Sequence, residues 1–131
     1  MEVLKIRTTS RDELVNITGK VEALVRDKGW KEGLIHIFVP HTTAGVTINE
    51  GADPTVKADL LMILDRLVPW EGGYRHLEGN SAAHMKASLL GSSVHIPLME
   101  GKLQLGTWQS IYLAEFDGPR DRKVYISYIP V

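Results

Sequence analysis

The sequence predicts an α+β domain: a mixed, mainly antiparallel β-sandwich of seven or eight strands with two or three helices. Three observations lead there. Short runs rich in β-branched and aromatic residues, bounded by turn residues, recur along the chain. Two stretches carry apolar residues at three- and four-residue spacing behind helix-start signals. The C-terminal third is purely strand-like, and consecutive strands joined by tight turns favour an antiparallel sheet or sandwich with helices packed against it.

In chain order, "EVLKIRTT" sets Val3, Leu4 and Ile6 among charged residues and reads as a strand, followed by a short one at "ELVNI". Thr18 is placed to cap an amphipathic helix, "GKVEALVRDKG", closed by Gly29. "GLIHIFVPH" is a strand ended by Pro40, and "AGVTINE" is another, with the polar turn His41-Thr42-Thr43 between them. The next helix has the clearest pattern. Asp53 can cap it, Pro54 takes the first helical position, where a missing N–H costs nothing, and Pro69 stops it. Val56, Leu60, Ile63, Leu64 and Leu67 form its apolar stripe.

Residues 70–80 read as a loop with three glycines, and Ser81 opens a short helix, "SAAHMKASLLG", closed by Gly91. Four strand-like runs follow: "SVHIPLM", "KLQLG", "WQSIYLAEF" and "KVYISYIPV". Their turns fall at Glu100-Gly101, near Gly106, and at Asp117-Gly118-Pro119.

The 131 residues fit one domain, 1–131, with no internal repeat or linker. There is no cysteine, which removes disulfides, thiolate catalysis and cysteine-held clusters. Charged residues make up 24% of the chain and cancel to a formal net charge of −1. No basic field of the nucleic-acid-binding kind is present, and no apolar run has the length of a membrane span. The first ten residues lack the apolar core of a signal peptide, so the expected location is cytoplasmic.

The chemistry-bearing residues are histidines. His76 and His84 flank a Gly-Asn-Ser break in "YRHLEGNSAAHMK", and His41 begins the Thr-rich turn. On one unbroken helix, His76 and His84 would lie about 12 Å apart along the axis. Ligands of one metal sit about 2.0–2.1 Å from it, so a shared ion requires a bend. Gly79-Asn80-Ser81 can supply that bend. His84 would then fall near the start of a helix, whose free N–H groups and positive dipole end suit an anion. The spacing permits a site without specifying one; loop histidines are commonly solvated or bonded to backbone. His36 and His95 alternate with apolar neighbours and belong on the outer face of a sheet. Asp53 is better explained as a cap, Trp108 as core, and Glu115, Asp117 and Arg120 as an ion pair across a turn. No P-loop, dinucleotide fingerprint or nucleophile elbow is present.

Taken together, "PHTTAGVTINEGADPTVKADL", "YRHLEGNSAAHMKASLLG" and "IPLMEGKLQLGTWQSIYLAEFDGPR" resemble the YjbQ-like family, also called the secondary thiamine-phosphate synthase family. The resemblance covers nearly all of residues 34–130. It implies a compact α+β fold assembled as a homotrimer and a weak thiamine-phosphate synthase activity, which joins a pyrimidine pyrophosphate to a thiazole phosphate. The motif histidines carry over as His41, His76 and His84. Thr42, Asn49, Glu50, Trp108, Gln109, Glu115 and Arg120 also fall on motif positions. In "GNSAAH" some relatives carry a longer segment.

The resulting expectation is a small metal-dependent enzyme acting on a phosphorylated small molecule. His41, His76 and His84 would hold a divalent cation, zinc before magnesium, that polarises a phosphate oxygen or activates water. His84, Glu50 and Arg120 would be catalytic. Thr42, Asn49, Asn80, Ser81, Trp108, Gln109 and Glu115 would bind the substrate. The competing expectations are a metal- or anion-binding module without turnover and a metal-assisted phosphate-ester hydrolase. Neither nucleic acid nor membrane is an expected partner.

Overall fold

The computed structural model describes residues Met1–Val131. In chain order the elements are β1 (Glu2–Arg7), β2 (Glu13–Asn16), α1 (Thr18–Lys28), β3 (Gly33–Phe38), β4 (Ala44–Glu50), α2 (Pro54–Leu67), α3 (Ser81–Leu90), β5 (Ser93–Met99), β6 (Lys102–Leu103), β7 (Gln109–Glu115) and β8 (Asp121–Pro130). Two sheets form, one of five strands ordered β1-β8-β3-β5-β6 and one of three ordered β2-β7-β4. Every pairing is antiparallel. The α+β sandwich expected from the sequence is what the chain forms.

Alternation along the strands builds the core. Ile35 and Ile37, Ile96 and Leu98, Val124 and Ile126 face inward from the larger sheet. Val46, Ile111 and Leu113 meet them from the smaller one, and α1 adds Val21 and Val25, one helical turn apart. The intervening residues point out: His36 lies directly across from His95, as the period-two pattern requires.

The other face of the small sheet carries a second cluster. Leu14, Tyr112, Ala114 and Phe116 pack on Ala83 and Ala87 of α3, with Leu60, Leu61 and Leu64 of α2 half-buried beside them. Small residues let α3 come close. A Cβ at Gly45 would sit 2.5 Å from the carbonyl oxygen of Gly91, so strand and helix end meet backbone to backbone. Val46 N–H donates to that same oxygen at 3.1 Å.

Helix α2 buries none of its residues completely. A ring of charges ties it down. The Nζ of fully buried Lys86 donates to Asp12 (2.7 Å) and to Asp65 of α2 (3.0 Å). Arg11 closes the ring by reaching the same two carboxylates at 2.7 and 3.2 Å. The Arg11 guanidinium also lies 4.4 Å over the Trp70 ring.

Most helix punctuation agrees with the sequence pattern. Asp53 accepts from Thr55 N–H at 2.9 Å with Pro54 behind it. Gly29 and Gly91 close α1 and α3 with positive φ. Thr18 differs. It is the first residue of α1 rather than its cap, and its hydroxyl accepts from Ile111 N–H of β7 at 2.8 Å. A donor of the sheet thus takes the oxygen that would have capped the helix. "KLQLG" is also shorter than expected, a two-residue strand.

Candidate functional site

Three elements bring the histidines to one surface. His41 follows β3, His76 precedes the break, and His84 is the fourth residue of α3. The break does what its residues allow: Gly79 adopts φ +74 and its N–H closes a turn onto the His76 carbonyl at 3.1 Å. The His76 and His84 rings thereby come to 5.5 Å, edge to face. His84 and His41 border one shallow cleft of about 280 Å³, together with Thr42, Ser88 and Ser92. His84 is the shared member, standing between the other two.

His41 is held firmly. Its Nε2 accepts from Lys123 N–H at 2.9 Å, so the neutral ring carries its proton on Nδ1. Burial lowers its pKa below the ordinary histidine value, and the Arg122 guanidinium lowers it further. His41 is therefore a neutral donor at pH 7. His76 is more exposed, with Nε2 3.9 Å from Glu78.

Asn80, at the N-cap of α3, is buried. Its backbone carbonyl accepts from Ala83 and His84 N–H, so the His84 amide is not one of the free donors of the helix start. Its amide nitrogen donates to Asp117 at 2.8 Å, whereas Oδ1 has no protein partner. A buried acceptor of this kind calls for a donor from water or ligand. Ser81 turns away from the histidines and borders a different hollow, with Leu67, Tyr74 and Met85.

The other expected site residues separate. Arg120 is tied to Asp117, donating to its carbonyl at 2.8 Å and its carboxylate at 2.9 Å. Glu115 is fully buried and accepts from Thr8, Arg122 and the N–H groups of Phe116 and Asp117. Burial pushes its carboxyl up, but the bonds from Arg122, Thr8 and Asp117 outweigh that and hold it below the usual carboxylate range. Arg122 also donates to Thr43 at 2.8 Å, so this pair braces the turn that carries His41 and Thr42. Arg122, which sequence reasoning missed, is thus the residue behind His41; its position on a strand alternating "DRKVYIS" is the only trace it leaves in the sequence.

Glu50, Trp108 and Gln109 lie elsewhere. Glu50 accepts from Ala52 N–H at 2.9 Å, Gln109 from Gly106 N–H at 2.7 Å, and the Trp108 carbonyl from Gly51 N–H at 2.8 Å. Trp108 is exposed, not core. Gln109 pairs with Glu50 at one end of the β4–β7 ladder, and Glu115 pairs with Ala44 at the other. Six residues of strand put about 20 Å between this group and the histidines. Asn49 faces neither; it lines a slot under α2.

A two-sheet α+β domain with half-buried imidazoles in a shallow cleft is the class that fold and site define. The chain belongs to the UPF0047 YjbQ-like family, whose model matches residues 2–131. It is 54% identical to the UPF0047 protein YugU of Bacillus subtilis over 127 residues, covering 96% of each chain. A UPF0047 protein of Methanocaldococcus jannaschii is 50% identical over 95% of this chain and 91% of its own. The crystal structure of an uncharacterised family member from Clostridium acetobutylicum superposes with a TM-score of 0.96 at 51% identity, covering 98% and 100% of the two chains.

These findings correct the functional expectation. The relatives carry only UPF0047 names that state no activity, so they give the expected thiamine-phosphate synthesis no support. No three His, Asp or Glu side chains of the chain stand close enough to share an ion. His41 has committed one nitrogen to backbone, and the two proposed catalytic partners of His84, Glu50 and Arg120, are bonded elsewhere. The metal-dependent enzyme, the metal-binding module and the metal-assisted hydrolase fall with that geometry. No helix is long and apolar enough to cross a membrane.

Proposed function

We propose that the cleft is a proton-transfer site for a small hydroxylated molecule, with His84 as the acid–base group. The observation that carries this is the shared position of His84: 5.5 Å from the His76 ring and across one cleft from His41. His41, kept neutral with its proton on Nδ1, would donate to the substrate rather than titrate. The hydroxyls of Thr42 and Ser92 would orient a polar substrate in the cleft. General acid–base groups of this kind contribute roughly 10²–10⁴-fold to a rate.

The test is deuterium incorporation from D2O into a panel of small hydroxycarbonyl compounds, followed by NMR. Exchange by the wild-type protein that drops by roughly 10²-fold or more in His84→Gln, with the fold intact, is the expected result. Equal exchange in both proteins, or none in either across the panel, overturns the assignment.

We infer further that the working unit is a homotrimer. Glu50, Trp108 and Gln109 are too far from the histidines to serve them within one chain, and a neighbouring copy is the simplest source of a second cleft wall. Exposed Leu77, next to His76, and exposed Leu67, Tyr74 and Met85 around the separate hollow at Ser81 are apolar surface that such a neighbour would bury. Light scattering should give three times the 14.6 kDa chain mass, falling to one chain in Leu77→Glu. A wild-type monomer rejects the trimer while leaving the His84 test standing.

A further inference from the structure

A second cavity, independent of the histidine cleft, lies between α2 and the outer face of the small sheet. It measures about 170 Å³. Leu60 and Leu64 of α2, Leu14 of β2 and Leu90 of α3 make its apolar walls, and Thr47 and Asn49 of β4 give it one polar end. Strand alternation produces this arrangement. Val46 and Ile48 turn into the main core, so Thr47 and Asn49 must face the helix layer. Asn49 spends its carbonyl oxygen on Glu50 N–H at 2.7 Å, which leaves its NH2 group as the donor at the slot.

We propose that this slot is a binding site for a small apolar molecule with a single hydrogen-bond acceptor: one ring, or a short chain, ending in a carbonyl or hydroxyl oxygen. The size matches. The slot opens to solvent at Asn49 and Ile63, and a volume of this order, roughly 150 Å³, holds a single aromatic ring. The composition matches as well, with apolar walls and one placed polar group. The state of α2 supplies a second, separate reason. Leu60, Leu61 and Leu64 are only half-buried, Ile63 stays exposed, and Asp65 is tied to Lys86 and Arg11. A ligand in the slot would complete the packing of those leucines, and α2 is the wall free enough to admit it.

The probe is cyclohexanone, titrated into protein labelled at leucine and isoleucine methyls and followed by 1H–13C spectra. Saturable shifts at Leu14, Leu60, Leu64 and Leu90, with a dissociation constant in the millimolar range, are expected for a molecule this small. Asn49→Ala, a substitution at an exposed polar position that leaves the fold intact, should weaken cyclohexanone about tenfold, the value of one hydrogen bond. The same variant should leave toluene, which has no acceptor, unaffected. Leu90→Phe, which fills the slot, should abolish both. Absence of saturable shifts in the wild type, or shifts that survive Leu90→Phe, overturns the site. Methyl shifts that follow protein concentration rather than probe also overturn it, because the slot is then a seat for another copy of the chain.

Discussion

Lys86 and the Glu115–Arg122 pair are the residues whose burial demands an explanation. A lysine with no exposed surface survives because two carboxylates and the Phe116 ring surround it. Glu115 and Arg122 survive because each finds several partners. Breaking such a pair leaves a lone charge in the interior, so Arg122→Ala should lose about 3–5 kcal/mol in urea denaturation. Replacing both partners, Glu115→Leu with Arg122→Met, should recover most of that loss. The pair also sets a pH dependence. Glu115 titrates lower in the folded chain than in the unfolded one, so in acid the unfolded state binds more protons. Its stabilisation is therefore complete above about pH 4.3, the ordinary glutamate value, and fades as pH falls through the depressed folded value. The urea midpoint should fall on acidification, and less steeply in the double variant. Nearest the cleft, His41 should appear in long-range 1H–15N spectra as the Nδ1–H tautomer, titrating below the ordinary histidine range; an Nε2–H signal would remove it as the donor to substrate.

Among the elements, α2 combines the most readable pattern with the least secure packing. Its cap and its N1 proline were legible because they are local, and each works as read, whereas of the expected stripe Ile63 and Leu67 stay exposed and Leu61 packs inward instead. Asp53→Ala, which removes the acceptor for Thr55 N–H, should lower the unfolding midpoint measurably. The depth of its burial was not legible. Spacing shows that a stripe exists; only the sheet beneath decides how far it sinks, and here it sinks halfway. Amides of α2 should accordingly exchange with solvent faster than those of α1, whose Val21 and Val25 reach the main core. The same limit explains Thr18. Its helix-start chemistry is correct locally, but a donor on β7, ninety-three residues away, claims the oxygen first.

For the whole molecule, sequence pattern carried the two-sheet α+β fold and the positions of nearly every strand, since alternation and turn chemistry are local. It could not assign strands to sheets. β3 and β4 are neighbours in sequence yet belong to different sheets, and that crossing aims the His41 turn at α3. The gathering of His41, His76 and His84 on one surface was legible from the break at Gly79 and from the family resemblance. Their failure to meet at a point was not, because it depends on His41 turning toward Lys123 and on a ring separation that no spacing encodes. Glu50, Trp108 and Gln109 were grouped with them by motif alone, and the β4–β7 ladder holds them at its far end.

The touch between Gly45 and Gly91 gives that ladder a mechanical role. A side chain at position 45 would have to lift the end of α3, because the obstacle is a carbonyl oxygen that cannot swing aside. The strand that follows His41 thus acts as a gauge block for the helix that bears His84, fixing the width of the cleft from beneath. Gly45→Ala would prise the jaws apart while leaving every imidazole chemically untouched. If cleft width governs turnover, that single methyl should lower it as surely as the loss of a histidine.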